Sequence, residues 1–332
     1  MKTKTRKMIL FAVLMAVAIA LLPGYAVAKN WKSGHPSPPG TTPDLTQQKF
    51  MELVKQKSAG KIVVDGFPAE QLGSYRDMFD NVVRGVQEMG FLPISPEFSP
   101  ELQAVYTVYL ADTWQEGEEI YKPDGWMFKL LEPVFAKLGV KLLGFYFIGM
   151  DGFGSTKGPV VMPEDISKQG IKVRVWCPAD RLLYQQMGAQ TVDIAFSELF
   201  TSLQTGVAHA QDNTPEVTFS ALRDVTKFYT DINHIFEPLG VIINKKLFDS
   251  LSPELKKAVE ESAMESLAWG NKASKEAEEG FFKKMSDSGI KVTRLTSEQR
   301  KAWKDYGRKS WTEFEKVIGK QTMDYLRANA KK

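Results

Sequence analysis

GIKVRVWCPAD, residues 170–180, is the stretch on which the fold turns. Val173 and Val175 flank Arg174 in what reads as a short strand, and Trp176, Cys177 and Pro178 follow. Alternating β-branched residues favour a pleated strand, and RLLYQQMG (181–188) beyond them reads as a helix. A strand feeding straight into a helix is half of a βαβ unit, the building block of a parallel sheet. The strand itself has no use for an arginine at its centre, so Arg174 is a candidate for binding an anion. Its planar, permanently charged guanidinium matches a carboxylate with two parallel hydrogen bonds. Spacing alone leaves the other reading equally open: an edge-strand arginine reaching solvent or an internal acid.

The same alternation extends on both sides. KLLGFYFIGM (141–150) reads as a buried strand, RLLYQQMG (181–188) as a helix closed by Gly188, and AQTVDIA (189–195) as a strand. SELFTSLQTG (197–206) is a helix with a glycine C-cap, and LGVIINKK (239–246) is another strand. Towards the N-terminus, a proline-rich loop follows at most a short strand around Trp31. Thr42–Pro43 then starts a helix to about Lys57, and KIVVDGF (61–67) is a strand. Ser74 and Asp77 have capping-box spacing before a helix ending at Gly85, and VQEMGF (86–91) is a further strand. Ser252-Pro253-Glu254 opens a helix reaching about Ser286. At ~1.5 Å per residue it is ~50 Å long, more than one small domain across, with Gly270 and Gly280 as points where it could bend. GIKVTRL (289–295) adds a strand, and Thr296 with Gln299 caps a final helix carrying Trp303 and Phe314. The expectation is an α/β protein of two lobes, each a mixed sheet flanked by helices, with the long helix bridging them. Open α/β sheets take ligands at the carboxyl ends of their strands, so two facing lobes define a cleft.

Composition narrows the function classes. Lys2, Lys4, Arg6 and Lys7 precede the apolar run Met8–Leu22, and Ala26-Val27-Ala28 forms a small-x-small cleavage site. Together they read as a secretory signal peptide over residues 1–28. The whole chain has 43 basic and 40 acidic residues; without those four cations the balance is 39 against 40. The exported chain therefore has no excess of positive charge for nucleic acid. Outside the cytoplasmic membrane there is no supply of ATP or NAD, and no cofactor is expected. The one cysteine rules out an intramolecular disulfide, and no metal site is indicated.

Catalytic motifs fail one by one. The three histidines, His35, His209 and His234, have no HExxH spacing, and GxSxG is absent. GFGSTKG (152–158) lacks the GK[ST] ending of a phosphate loop and reads as a flexible connection between lobes.

The segment after Arg174, AFSELFTSLQTGVAHAQDN (195–213), resembles the DctP-like substrate-binding proteins of tripartite ATP-independent periplasmic (TRAP) transporters. Their pattern is a GxKxRV strand followed by PxxFSEVYTALQTGxVDGQEN. Here Gly170, Lys172, Arg174 and Val175 match the first element. FPAEQLGSYRDMFDNVVRG (67–85) resembles the family's FPxxQLGxxxEMxxxxxxG, and residues 233–263 resemble its NHxxxPxxxxxxKxxWDxLPxxLQxxIxxAA. The resemblance covers nearly all of the mature chain.

It implies a two-lobed periplasmic binding-protein fold that closes on a small organic acid and delivers it to two membrane permease subunits. Lobe I would comprise 29–151 plus about 238–275, and lobe II 152–237 plus about 276–332. The matched positions make Arg174 and Asn213 the carboxylate clamp and Phe196 a pocket wall, with Gln211 of the same turn beside them. Three departures bear on the ligand. Ala208-His209-Ala210 replaces VDG, and His209 reads as a surface turn residue. Trp176 stands where a small residue or proline is frequent and could offer an aromatic face. Asp151 falls near the place of a second family arginine, which disfavours a second acidic group on the ligand and suits an ammonium or hydroxyl; Glu237 could add to it. The expected protein is a monomeric receptor for a monocarboxylate, aromatic or amino-bearing in body, and not an enzyme. An extracytoplasmic enzyme or a ligand sensor on the same scaffold is the alternative.

Overall fold

The computed structural model describes residues 29–330, so the expected signal peptide lies outside the described residues. Eleven strands occur among them: β1 (Lys29–Gly34), β2 (Ile62–Phe67), β3 (Met89–Pro93), β4 (Val140–Met150), β5 (Gly152–Ser155), β6 (Lys172–Val175), β7 (Gln190–Asp193), β8 (Ala210–Asn213), β9 (Phe228–Thr230), β10 (Phe236–Asn244) and β11 (Lys291–Thr293). They form two mixed sheets with helices packed on them. The first has the order β2-β1-β3-β10-β4 and the second β11-β9-β5-β8-β6-β7. In the first, β1 is parallel to both β2 and β3, while β10 is antiparallel to β3 and β4. In the second, β6 lies between parallel β7 and β8. In each sheet one strand next to the edge, β1 or β6, has the two strands that follow it in the chain on its two sides.

Two crossovers join the sheets, and they touch. Only Asp151 separates β4 from β5, and residues 231–235 return the chain from β9 to β10. Asp151 N–H donates to Ile235 O (2.8 Å), His234 N–H donates to Asp151 O (3.3 Å), and Phe236 pairs with Met150. Few residues pass between the sheets, which is the anatomy of a hinge.

A third connection is the helix Pro253–Asp287, 35 residues without a break. It packs on the helix Thr42–Lys57 and β4 at one end, and on the helix Pro215–Leu222 and β11 at the other. Ser252 caps it through Leu255 N–H, and Pro253 occupies its first turn. Gly270 does not bend it. A methyl there would overlap Thr46 of the helix 42–57, so glycine permits the close crossing of the two helices.

Two local expectations need correction. Gly152–Ser155 is no flexible connection; it is β5, buried between β8 and β9 in the second sheet. Added methyls at Gly152 and Gly154 would overlap Tyr229 and the Gln211 amide, so these glycines serve close packing. The final helix is three: Ser297–Arg308, Trp311–Ile318 and Lys320–Asn329. Gly319, at φ +84°, makes the second break. These helices hold both halves, with Trp311 Nε1–H donating to Val108 O and Trp303 Nε1–H to Val161 O, each at 2.8 Å.

Candidate functional site

The strand termini converge on one cavity. From the first sheet come Pro36, Ser37 and Pro38 after β1, Pro93 at the end of β3, and Ile148 of β4. Tyr75, at the start of the helix Tyr75–Arg84, completes that side. From the second sheet come Arg174 of β6, Trp176 just beyond it, Phe196 after β7, Asn213 at the end of β8, and Val217. Glu237 enters from the returning crossover. β1 and β6 therefore point their carboxyl ends at the same space, where open α/β sheets bind ligands. Elements of the two halves meet over it. Thr42 N–H and Oγ1 donate to Glu216 (2.8 and 2.9 Å), and Arg76 reaches Asp193 at 3.5 Å.

Arg174 is the centre of the site. The neighbours of β6 on both sides leave its side chain only 3 % exposed. Nε–H donates to Ile194 O at 3.0 Å, which fixes the plane of the guanidinium. Among the described residues no carboxylate lies within ion-pair distance of it. A buried charge is costly unless paired, and a guanidinium does not shed its proton to escape. The site is built to receive an anion.

Asn213 lies at the adjoining strand end. Its side-chain amide nitrogen donates to Gln211 Oε1, and its backbone carbonyl accepts from Tyr229 Oη–H (2.8 Å). A second amide hydrogen is available to a ligand. Gln211 is wholly buried, with Nε2 donating to Thr218 Oγ1 (3.3 Å), and supports Asn213 from behind without lining the cavity. Trp176 packs edge-on against Tyr106, centroids 4.6 Å apart, with its remaining face towards the cavity. Phe196 opens the helix Phe196–Thr205 and is half-buried. Burial pushes the Tyr75 hydroxyl up to about 12, so it is neutral.

The hinge holds the opposite kind of chemistry. Asp151, Asp180, Asp212, Glu237 and His234 are all buried there. His234 Nδ1 faces Asp151 O at 3.2 Å, and Nε2 lies 3.0 Å from Asp212 Oδ2 and 3.5 Å from Asp180 Oδ1. Burial pulls the imidazole pKa down, but its bonds to Asp180 and Asp212 outweigh that and bring it up to about 9. His234 is an imidazolium between two acids. Those three facing atoms lie within 4.8 Å of one another, close enough for a cation to bridge, and the imidazolium already supplies the positive charge. Tyr184 Oη–H also donates to Asp212 (3.2 Å).

Asp151 does not reach the cavity. It is 0 % exposed, and burial, then Glu237, then Asp212 and Asp180 push its pKa well above the carboxylate range. Glu237, 8 % exposed, is raised first by burial and held down by its bond to Asp151. Of the seven residues singled out in the sequence, the cavity lining thus includes Arg174, Trp176, Phe196, Asn213 and Glu237, with Gln211 and Asp151 one layer behind. His209 is elsewhere: its Nδ1 accepts from Lys172 N–H (3.1 Å) at the start of β6. Sequence reasoning missed Tyr75 and the Pro36–Pro38 loop as lining. The signal was present, since that loop follows the strand at which the parallel order reverses.

Comparison with known proteins agrees with this architecture. The family described as bacterial extracellular solute-binding protein, family 7 (DctP) matches residues 33–317. The C4-dicarboxylate-binding periplasmic protein DctP of Rhodobacter capsulatus is 28% identical over 96% of this chain and 97% of its own. The 2,3-diketo-L-gulonate-binding periplasmic protein of Escherichia coli is 27% identical over 89% of each. A TRAP periplasmic solute-binding protein from Shewanella oneidensis, solved with bound succinate, is 25% identical. It superposes with a TM-score of 0.83 over 91% of this chain and 99% of its own.

Proposed function

This chain belongs to the DctP family, bacterial extracellular solute-binding protein family 7, the solute receptors of TRAP transporters, and from that premise we propose that its cargo is a small organic monocarboxylate held by Arg174. The observation that carries this is a buried guanidinium, plane fixed by Ile194 O, with no ion-pair partner among the described residues. Asn213 contributes a further donor, and Trp176, Phe196, Ile148 and Val217 wall an apolar body. The relatives whose names state a cargo bind acids: a C4-dicarboxylate, a diketo sugar acid, succinate. Each carries at least one carboxylate, and among the described residues Arg174 is the only cation lining this cavity.

The protein works outside the cytoplasm after removal of its leader, as a monomer, and passes its cargo to membrane permease subunits. We read it as a receptor and not an enzyme, in keeping with the solute-binding family to which it belongs. Lobe I is residues 29–151 with about 238–275, and lobe II 152–237 with about 276–332, closing by hinge motion at the paired crossovers.

A thermal-shift screen of organic acids tests the reading. A cognate acid at 100 times its Kd adds ~2.7 kcal/mol to the stability of the protein, and Arg174→Ala removes that response. Equal ligand-dependent stabilisation of wild type and Arg174→Ala would show that the clamp is elsewhere.

A further inference from the structure

Among the described residues, Glu237 and Arg174 are the only charged side chains lining the cavity. They have opposite sign and come from different parts of the fold. Arg174 belongs to β6 of the second sheet, whereas Glu237 starts β10, where the returning crossover enters the first sheet. A register shift between Glu237 and Pro238 marks a bulge, a device that re-aims a side chain. Two carboxylates facing each other in a buried place repel, so Asp151 and Glu237 share a proton. Asp151 is the more deeply buried of the two and the more strongly raised, and Glu237, brought to about 7, is the member that carries the charge above that pH. Glu237 then presents oxygen lone pairs to the cavity.

We infer that Glu237, oriented by Asp151, is the specificity-determining residue of the cavity: it accepts a hydrogen bond from a hydroxyl or ammonium substituent of the monocarboxylate and excludes a second carboxylate. The inference rests on the Arg174 clamp. With that clamp in place, charge decides the rest. One ligand carboxylate neutralises Arg174; a second one has no cation in the lining to meet and faces Glu237 instead. A ligand with only C–H groups at that end strips water from Glu237 and returns no hydrogen bond. Sites built around such a bond reject analogues lacking the donor far more strongly than apolar walls reject a missing methylene. Asp180 and Asp212 lie behind Asp151 and add negative potential in the same direction.

The test is calorimetric titration of the full mature protein with matched sets of acids: 4-methylpentanoate, 2-hydroxy-4-methylpentanoate, leucine and isobutylmalonate, with the corresponding propanoate and 3-phenylpropanoate sets. Within a set that binds, the hydroxy or the amino form should be ~100-fold tighter than both the unsubstituted acid and the dicarboxylate. Preference for one of the two donors identifies hydroxyl or ammonium. Glu237→Gln should narrow that gap by ~10-fold or more by admitting the dicarboxylate. A residue with only a structural role would weaken all members equally. If acids bind in an Arg174-dependent manner but dicarboxylates match the hydroxy and amino forms, or Glu237→Gln leaves the ranking intact, the inference is overturned and the clamp stands. If no acid binds in an Arg174-dependent manner, the clamp falls and this inference with it.

Discussion

Arg174 and Asp151 both place an ionisable group at zero to a few per cent exposure on either side of one cavity wall, and the fold treats them in opposite ways. At the β6 end the cation is held by a backbone carbonyl and left without an acid partner. At the hinge four acids crowd one histidine, and burial raises the pKa values of Asp151, Asp180 and Glu237. Carboxyl groups can relieve crowding by taking up protons; a guanidinium cannot. Protonation can therefore discharge the hinge, while the clamp has no ion pair of its own until something arrives. The same buried charge that would be a defect in a core is a binding site in a cleft.

The largest break in that comparison should come from His234→Ala. It removes the positive group between Asp212 and Asp180 and leaves them facing each other. The expected loss is ~3–5 kcal/mol, the cost of removing one partner from a buried ion pair, measured by urea unfolding. A loss below ~1 kcal/mol would mean that the hinge acids are neutral without the imidazolium.

The pH dependence should be the next largest. His234 has a folded pKa raised from 6.5 to about 9, so its contribution is complete below pH 6.5 and is lost as pH rises through about 9. Asp180 and Glu237, raised by burial, act with the same sign. His35, lowered by burial, acts with the opposite sign but only below its ordinary value of 6.5. Unfolding free energy measured from pH 6.5 to 9.5 should fall steadily, by on the order of 1–3 kcal/mol. A flat or rising profile contradicts an imidazolium at position 234.

Asp151→Asn should change least. A protonated carboxyl and an amide are nearly isosteric, and both donate to Glu237, so stability should stay within ~1 kcal/mol. A loss several times larger would place a charged carboxylate at position 151.

Much of this was legible in the sequence, for local reasons. The strand–helix alternation, the capping boxes at Ser74 and Thr296, and the long helix opened by Ser252-Pro253 all rest on residues near in sequence. What was not legible depends on distant partners. Gly152 and Gly154 look like a flexible loop until Tyr229 and Gln211 are seen packing against them. Asp151 reads as a ligand contact until the returning crossover, more than eighty residues later, brings Glu237 in front of it. The break of the last helix before Trp311 comes just after Gly307, whose lack of a side chain lets the distant Tyr109 ring pack against it.

The central claim is that Arg174 is a buried cation awaiting an external anion, and the free protein tests it without knowledge of the cargo. Arg174→Met should leave ligand-free stability unchanged or raise it by ~1 kcal/mol or more, because an unpaired buried charge is exchanged for an apolar group of similar length. The same substitution should abolish stabilisation by organic acids. Ligand-free destabilisation of ~3 kcal/mol or more would show that the guanidinium is already paired inside the fold, and would contradict the account.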